Sequence, residues 1–125
     1  MPYIDIEDAL QGKLAADKYN ACAKPLPASF SMPHVVVDML NAYDDNAAQA
    51  VYAVDFDVRC ETYGEAAALQ CEVGDWVRNL EGQSIGGVPC YRVDSLRLQR
   101  VQPDASNQGA ILATVSANLR LRVAD

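Results

Sequence analysis

The stretch AVYAVDFDVRCETYGEAAAL, residues 50–69, decides how the chain folds. Val54, Phe56, Val58 and Cys60 alternate with Asp55, Asp57, Arg59 and Glu61. A period of two puts the first set on one face of a β-strand and the second on the other. The pattern stops at Thr62, and Thr62-x-x-Glu65 fits a capping box, in which the hydroxyl accepts from a backbone N–H three residues on. From there Ala66, Leu69, Val73, Trp76 and Leu80 recur at helical spacing. Twenty residues thus hold a strand, its end and the start of an amphipathic helix.

Working outward, residues 34–40 (HVVVDML) read as a second strand with Val35, Val37 and Met39 on one face, followed by a polar loop over residues 41–49. Residues 4–17 predict a short helix, with Ile6, Leu10 and Leu14 repeating at i+4, Asp5 in position to cap it and Gly12 weakening it. The three prolines of residues 24–33 (KPLPASFSMP) require an irregular or extended connection. Beyond the central helix, residues 81–87 (EGQSIGG) form a turn. Residues 88–101 are a strand whose apolar phase slips between Tyr91/Val93 and Leu96/Leu98, which predicts a β-bulge near Asp94 and Ser95. A polar loop over residues 103–109 leads to a long strand, residues 110–123. There Val115, Ala117, Leu119, Leu121 and Val123 face in, and Thr114, Ser116, Asn118, Arg120 and Arg122 face out. The expected fold is one α+β domain, residues 1–125: a mainly antiparallel sheet of four to five strands with two helices packed on one face. On the central helix Ala67, Cys71, Gly74 and Arg78 lie opposite the apolar stripe; three are small, and helix 1 or a neighbouring subunit are the candidates to pack there.

Composition narrows the function classes. Half of the residues are hydrophobic and the formal charge is −7, so no net positive field exists to grip nucleic acid through its phosphates. The first ten residues are too acidic for a signal peptide and no run approaches a membrane span, so the expectation is a protein that stays in the cytoplasm where it is made. Cys22, Cys60, Cys71 and Cys90 form no CxxC pair, and His34 is the only histidine; reduced thiols are expected, with no metal and no cofactor. Asp55 and Asp57 share a face with Cα atoms about 7 Å apart. That geometry suits a divalent metal in an enzyme, a wet strand face continued by Arg59 and Glu61, or a charged contact to a partner. No Gly-rich phosphate loop and no G-x-S-x-G context accompanies them.

The run PHVVV, a polar loop, VYAVDFDVRCETYGEAAALQCEVGDWVRNL, then GGVPCYRVDSLRLQRVQPD and LATVSANLRLRV resembles the tail terminator (tail completion, minor tail) proteins of long-tailed bacteriophages. The likeness runs from about Ile6 to Val123, with Glu65 and Ala66 at the matching helix start; its motifs are architectural and carry no enzymatic role across. It implies a homo-oligomeric ring, commonly a hexamer, that caps the finished tail tube, stops its polymerisation and joins it to the head connector or stopper. DNA would pass through the lumen only as cargo, the protein would sit in the virion neck after assembly in the host cytoplasm, and no membrane would be involved. Six copies at −7 each total −42, which suits a conduit that must not hold DNA. Three alternatives stand beside it: another neck component such as a stopper, a metal-dependent enzyme using Asp55 and Asp57, and a small acidic binding module. For the ring, the row Asp55, Asp57 and Glu61 is expected to meet Arg120 and Arg122 of the next copy. The two polar loops, with Asp44, Asp45, Asn46, Asp104 and Asn107, are expected to be contact loops.

Overall fold

The computed structural model describes residues 3–122. Its elements are α1 (Ile6–Ala16), β1 (Ala21–Ala23), β2 (His34–Asp44), β3 (Gln49–Cys60), α2 (Tyr63–Arg78), β4 (Ser84–Ile85), β5 (Val88–Leu98), β6 (Gln102–Pro103) and β7 (Ile111–Arg122). Seven strands make one sheet in the order β1-β2-β3-β7-β5-β4, with β6 pairing β7 beyond the end of β5. The fold is α+β as expected, but the sheet is larger than four to five strands and mixed, because β1 runs parallel to β2. Three residues, Ala-Cys-Ala, carry no alternation, so β1 has no periodic signature; its pairing comes from the tertiary ladder, beginning with Val35 N–H donating to Asn20 O at 2.8 Å.

The deciding stretch folds as its pattern requires. Along β3 the even-numbered positions from Ala50 to Cys60 are all buried, and they oppose the inward residues of β7 from Ile111 to Leu121. Thr62 Oγ1 accepts from Glu65 N–H at 3.2 Å and starts α2; Asp5 caps α1 in the same way, accepting from Asp8 N–H at 3.2 Å. The apolar faces of both helices and one face of the sheet meet in a single core around Leu10, Leu14, Phe56, Val73 and Leu119. β3, α2 and β5 form a crossover between two strands of the same direction, with β7 inserted between them.

Several expectations need correction. The strand expected at residues 34–40 continues to Asp44 through a register shift between Met39 and Asn41, leaving only residues 45–48 as loop. The strand expected over residues 88–101 ends at Leu98, and Gln102, left between that strand and the loop, joins Pro103 in pairing with Leu112 and Ile111 as β6. The EGQSIGG turn contains a two-residue hairpin: Gly86 and Gly87 both have positive φ, 59° and 81°, as a type I′ turn needs. α2 is rotated slightly from its expected stripe. Its buried residues are Ala66, Gln70, Val73, Gly74 and Val77, while Leu69 and Trp76 are only half-buried. Gly74 faces Leu98, whose Cδ2 would stand 3.1 Å from an added Cβ. Ala67 and Cys71 are exposed, and α1 packs instead against β1, β2 and β4. The slip in β5 is present: the register shifts between Asp94 and Arg97, and Ser95 sits at φ 54°. Val123, expected to face in, lies outside the described residues.

Candidate functional site

Of the sequence-predicted site residues, Asp55, Asp57 and Arg120 fall on the sheet face turned away from the helices, where the strand register sets their neighbours; Asp45, Asn46, Asp104 and Asn107 lie in loops and Glu61 just past β3. Asp55 lies opposite Ser116 and Asp57 opposite Thr114. Ser116 Oγ donates to Asp55 Oδ1 at 2.6 Å, and Thr114 Oγ1 donates to Asp57 Oδ1 at 2.9 Å. The acidic row is therefore a half-buried strand face whose carboxylates are tied across the sheet. Burial, partly offset by the Thr114 hydroxyl and the Arg59 charge, raises the Asp57 carboxyl above its ordinary pKa. Each carboxylate is engaged across the sheet by a hydroxyl, and among the described residues no three of His, Cys, Asp and Glu gather as a metal site would require.

Arg59, next in the row, donates from Nε to Asp104 Oδ2 at 2.7 Å, and both side chains are almost fully enclosed. Asp104 also accepts from Asn107 Nδ2 at 2.8 Å and Ser106 N–H at 3.0 Å. Burial opposes the charge of Asp104, but those bonds from Arg59, Asn107 and Ser106 outweigh it and hold the carboxyl below its ordinary range. The loop expected to be a free contact loop is thus pinned at Asp104 and Asn107. It faces Lys24 and Pro27 across a polar cleft of about 400 Å³ with Asp57 and Arg59 at its floor. His34 opens β2 opposite Arg59 and is buried, its ring 5.6 Å from Phe30. Burial, and then the Arg59 charge, lowers its pKa, so it stays neutral. Among the described residues His34 Nδ1 and Arg59 Nη1 are buried without a hydrogen-bond partner.

At the other end of the face Arg120 donates from Nε to Asp94 Oδ2 at 2.7 Å and from Nη1 to Asp45 Oδ2 at 2.5 Å. Its guanidinium is taken up within the chain, joining the β2–β3 loop to the β5 bulge. Asp44, placed in β2 rather than a loop, accepts from Tyr3 Oη at 2.7 Å. Asn46 folds back on its own loop, accepting from Ala48 and Gln49 N–H. Arg122 and Glu61 are exposed. The four cysteines are free thiols, and burial pushes Cys90 up to about 11, which keeps it protonated.

Three side chains that pattern reading missed complete the arrangement. Gln70, buried on α2, donates to Gln99 O at 2.7 Å and Thr114 O at 2.9 Å where β5 leaves β7. Its signal was present as a lone amide on the apolar arc Ala66, Val73, Val77. Glu7 and Glu81 each accept a backbone N–H at an outer strand of the sheet, from Met39 at 2.8 Å and Val93 at 3.1 Å. No local pattern marks them, because their partners lie 32 and 12 residues away.

What the geometry defines is an α+β protein whose polar sheet face is closed by its own cross-strand bonds. The same fold occurs in a chain of the virion of a native gene transfer agent (GTA) particle: the match has a TM-score of 0.54 at 14% identity and covers 96% of this chain and 99% of that one. Six solved chains match in all. No protein-family model matches the sequence, and no curated protein does.

Proposed function

We propose that the protein is a structural component of a phage-like particle, and specifically a tail terminator that forms a ring on the end of the tail tube. The observation that supports this most is the end-to-end correspondence with a chain of a gene transfer agent virion, 96% of one chain on 99% of the other. It is a match of whole architectures rather than of a shared substructure. The sequence resemblance to tail terminators points the same way. On this reading the mechanism is capping: one ring face matches the last ring of tube subunits, and the other lacks the surface that a further tube subunit needs. The partners are copies of this chain, the tail tube protein and the head-tail connector, with DNA in transit through an acidic lumen. No catalytic step is assigned, since the Asp55 and Asp57 carboxylates serve as cross-strand acceptors for Ser116 and Thr114.

Negative-stain micrographs of the purified protein test the ring, and particle assembly with the gene silenced tests the cap. The expected results are closed rings with a central channel, and tails of uncontrolled length that fail to join heads. Tails of normal length in its absence would remove the terminator assignment, and joining failure at normal length would move the protein to the connector side of the neck.

A further inference from the structure

Two grooves run into one another along one flank of α2. They share Pro33, Leu69 and Glu72; one, of about 540 Å³, continues past Ala68 to Glu65, and the other, of about 460 Å³, reaches Asp17. The floor is apolar; the rim carries Glu65 and Glu72 along α2, with Asp17 and Lys18 side by side at the far end. The opposite flank of α2 presents an apolar protrusion with arginines beside it, and Asp75 stands toward the solvent side of the helix. This flank carries Arg78 and is bordered by the end of β5, where Leu98 lies against Gly74 yet remains 47% exposed, with Arg100 two residues on. At about 100° per residue, Glu65, Leu69 and Glu72 stand on one side of the buried line through Gln70 and Val73, and Gly74 and Arg78 stand on the other. Among the described residues none of Glu65, Glu72, Arg78 and Arg100 is in a salt bridge.

We propose that these two flanks are the halves of one contact between copies of this chain. Leu98 of one copy enters the groove over Leu69 and Pro33 of the next, and Arg78 and Arg100 meet Glu65 and Glu72 at its rim. A twofold pairing of groove on groove would bring carboxylates together, whereas groove on arginine flank matches both charge and apolar surface. Because the halves lie on opposite sides of one helix, the contact is heterologous and propagates head to tail, closing when the rotation per copy divides a full turn. The inference rests on the ring reading and deepens it. It also moves the basic side of the subunit contact away from Arg120, whose guanidinium Asp94 and Asp45 already hold.

The experiment is charge exchange followed by cross-linking. Arg78→Glu with Arg100→Glu, and separately Glu65→Lys with Glu72→Lys, are expected to weaken association at least about tenfold in sedimentation velocity, and the fourfold variant to recover rings. These four positions, with Leu98 and Ala68, are surface sites, so circular dichroism should show each variant folded. In a Cys71→Ser background, Leu98→Cys together with Ala68→Cys is expected to give a ladder of disulfide-linked copies on mild oxidation, and each single cysteine variant at most dimers. Wild-type rings that survive both reversals and yield no ladder would overturn this contact and leave the ring reading standing. A wild-type chain that stays monomeric at high concentration and gives no ladder would overturn both.

Discussion

Two aspartates that flank Arg59, Asp57 on β3 and Asp104 in the β6–β7 loop, respond to acid in opposite directions. Asp57 is raised by burial, so the native state holds its proton more tightly than the unfolded chain. Its contribution to stability is present below the ordinary carboxylate pKa and is lost as pH rises through the native one. Asp104 is depressed by Arg59, Asn107 and Ser106 in spite of its burial; its contribution is present above the ordinary pKa and lost as pH falls through the native one. Asp57→Asn is therefore expected to raise the melting temperature near neutral pH, with the gain vanishing near pH 3, below the ordinary carboxylate pKa of about 3.9. Asp104→Asn is expected to cost about 3 kcal/mol at neutral pH by stranding Arg59, and less as the pH is brought down. Thermal melts across pH check both, and parallel pH profiles for the two variants would contradict the assignment. The alternation placed Asp55 and Asp57 on the correct face. It did not give their burial, which depends on Thr114 and Ser116 arriving from 57 and 61 residues away.

Secondary structure was legible wherever a local rule governs it. The Thr62 cap, the alternation of β3 and β7 and the slip at Ser95 were all readable, because capping hydroxyls, pleats and bulges act within a few residues. The exact arc that α2 buries was not. Leu69 and Trp76 share the apolar period, but neighbouring elements decide how far the helix rolls, and Gly74 against Leu98 rolls it toward β5. Trp76 consequently sits at the margin of the core. It packs edge-on to Phe56 and Tyr19 at centroid distances of 6.1 and 6.4 Å, and donates from Nε1 to Asp17 at 2.7 Å. Trp76→Ala is expected to cost about 3 kcal/mol, the low end for a large aromatic, because part of the ring is already wet. Gln70→Ala is expected to cost about 1 kcal/mol even though it removes no apolar packing, since Gln99 O loses the amide that reaches it from α2 while Thr114 O keeps only the Gln99 N–H. Urea titration of the two variants distinguishes a cavity from an unsatisfied backbone. A Gln70→Ala protein as stable as wild type would show that water replaces the amide at Gln99 O and that the Gln99 N–H suffices for Thr114 O.

For the whole molecule, topology was partly hidden. Hairpins joined by polar loops suggested neighbouring strands, yet β7 inserts between β3 and β5, which only the long-range ladder reveals. The two polar loops differ for the same reason. Residues 105–109 hang from an enclosed ion pair, whereas residues 45–48 are held by Asn46 and by the partly exposed Arg120. In the free protein the Ser106 amide is expected to be protected from hydrogen exchange and the Ala47 amide to exchange fast, gaining protection only in the ring proposed above. Fast exchange at both positions would mean that the Asp104 anchor opens in solution.

The two glutamates at the outer strands bear on how the protein behaves when concentrated. Sheet margins with unclaimed N–H groups recruit foreign strands, and the usual end point is a fibril. Glu7 over Met39 and Glu81 over Val93 spend those donors internally and leave a negative charge in the path of any incoming backbone. Glu7→Ala with Glu81→Ala is expected to shorten the lag before thioflavin-positive aggregates form, with native circular dichroism retained at the start; an unchanged lag would mean that the bulges alone guard the margins.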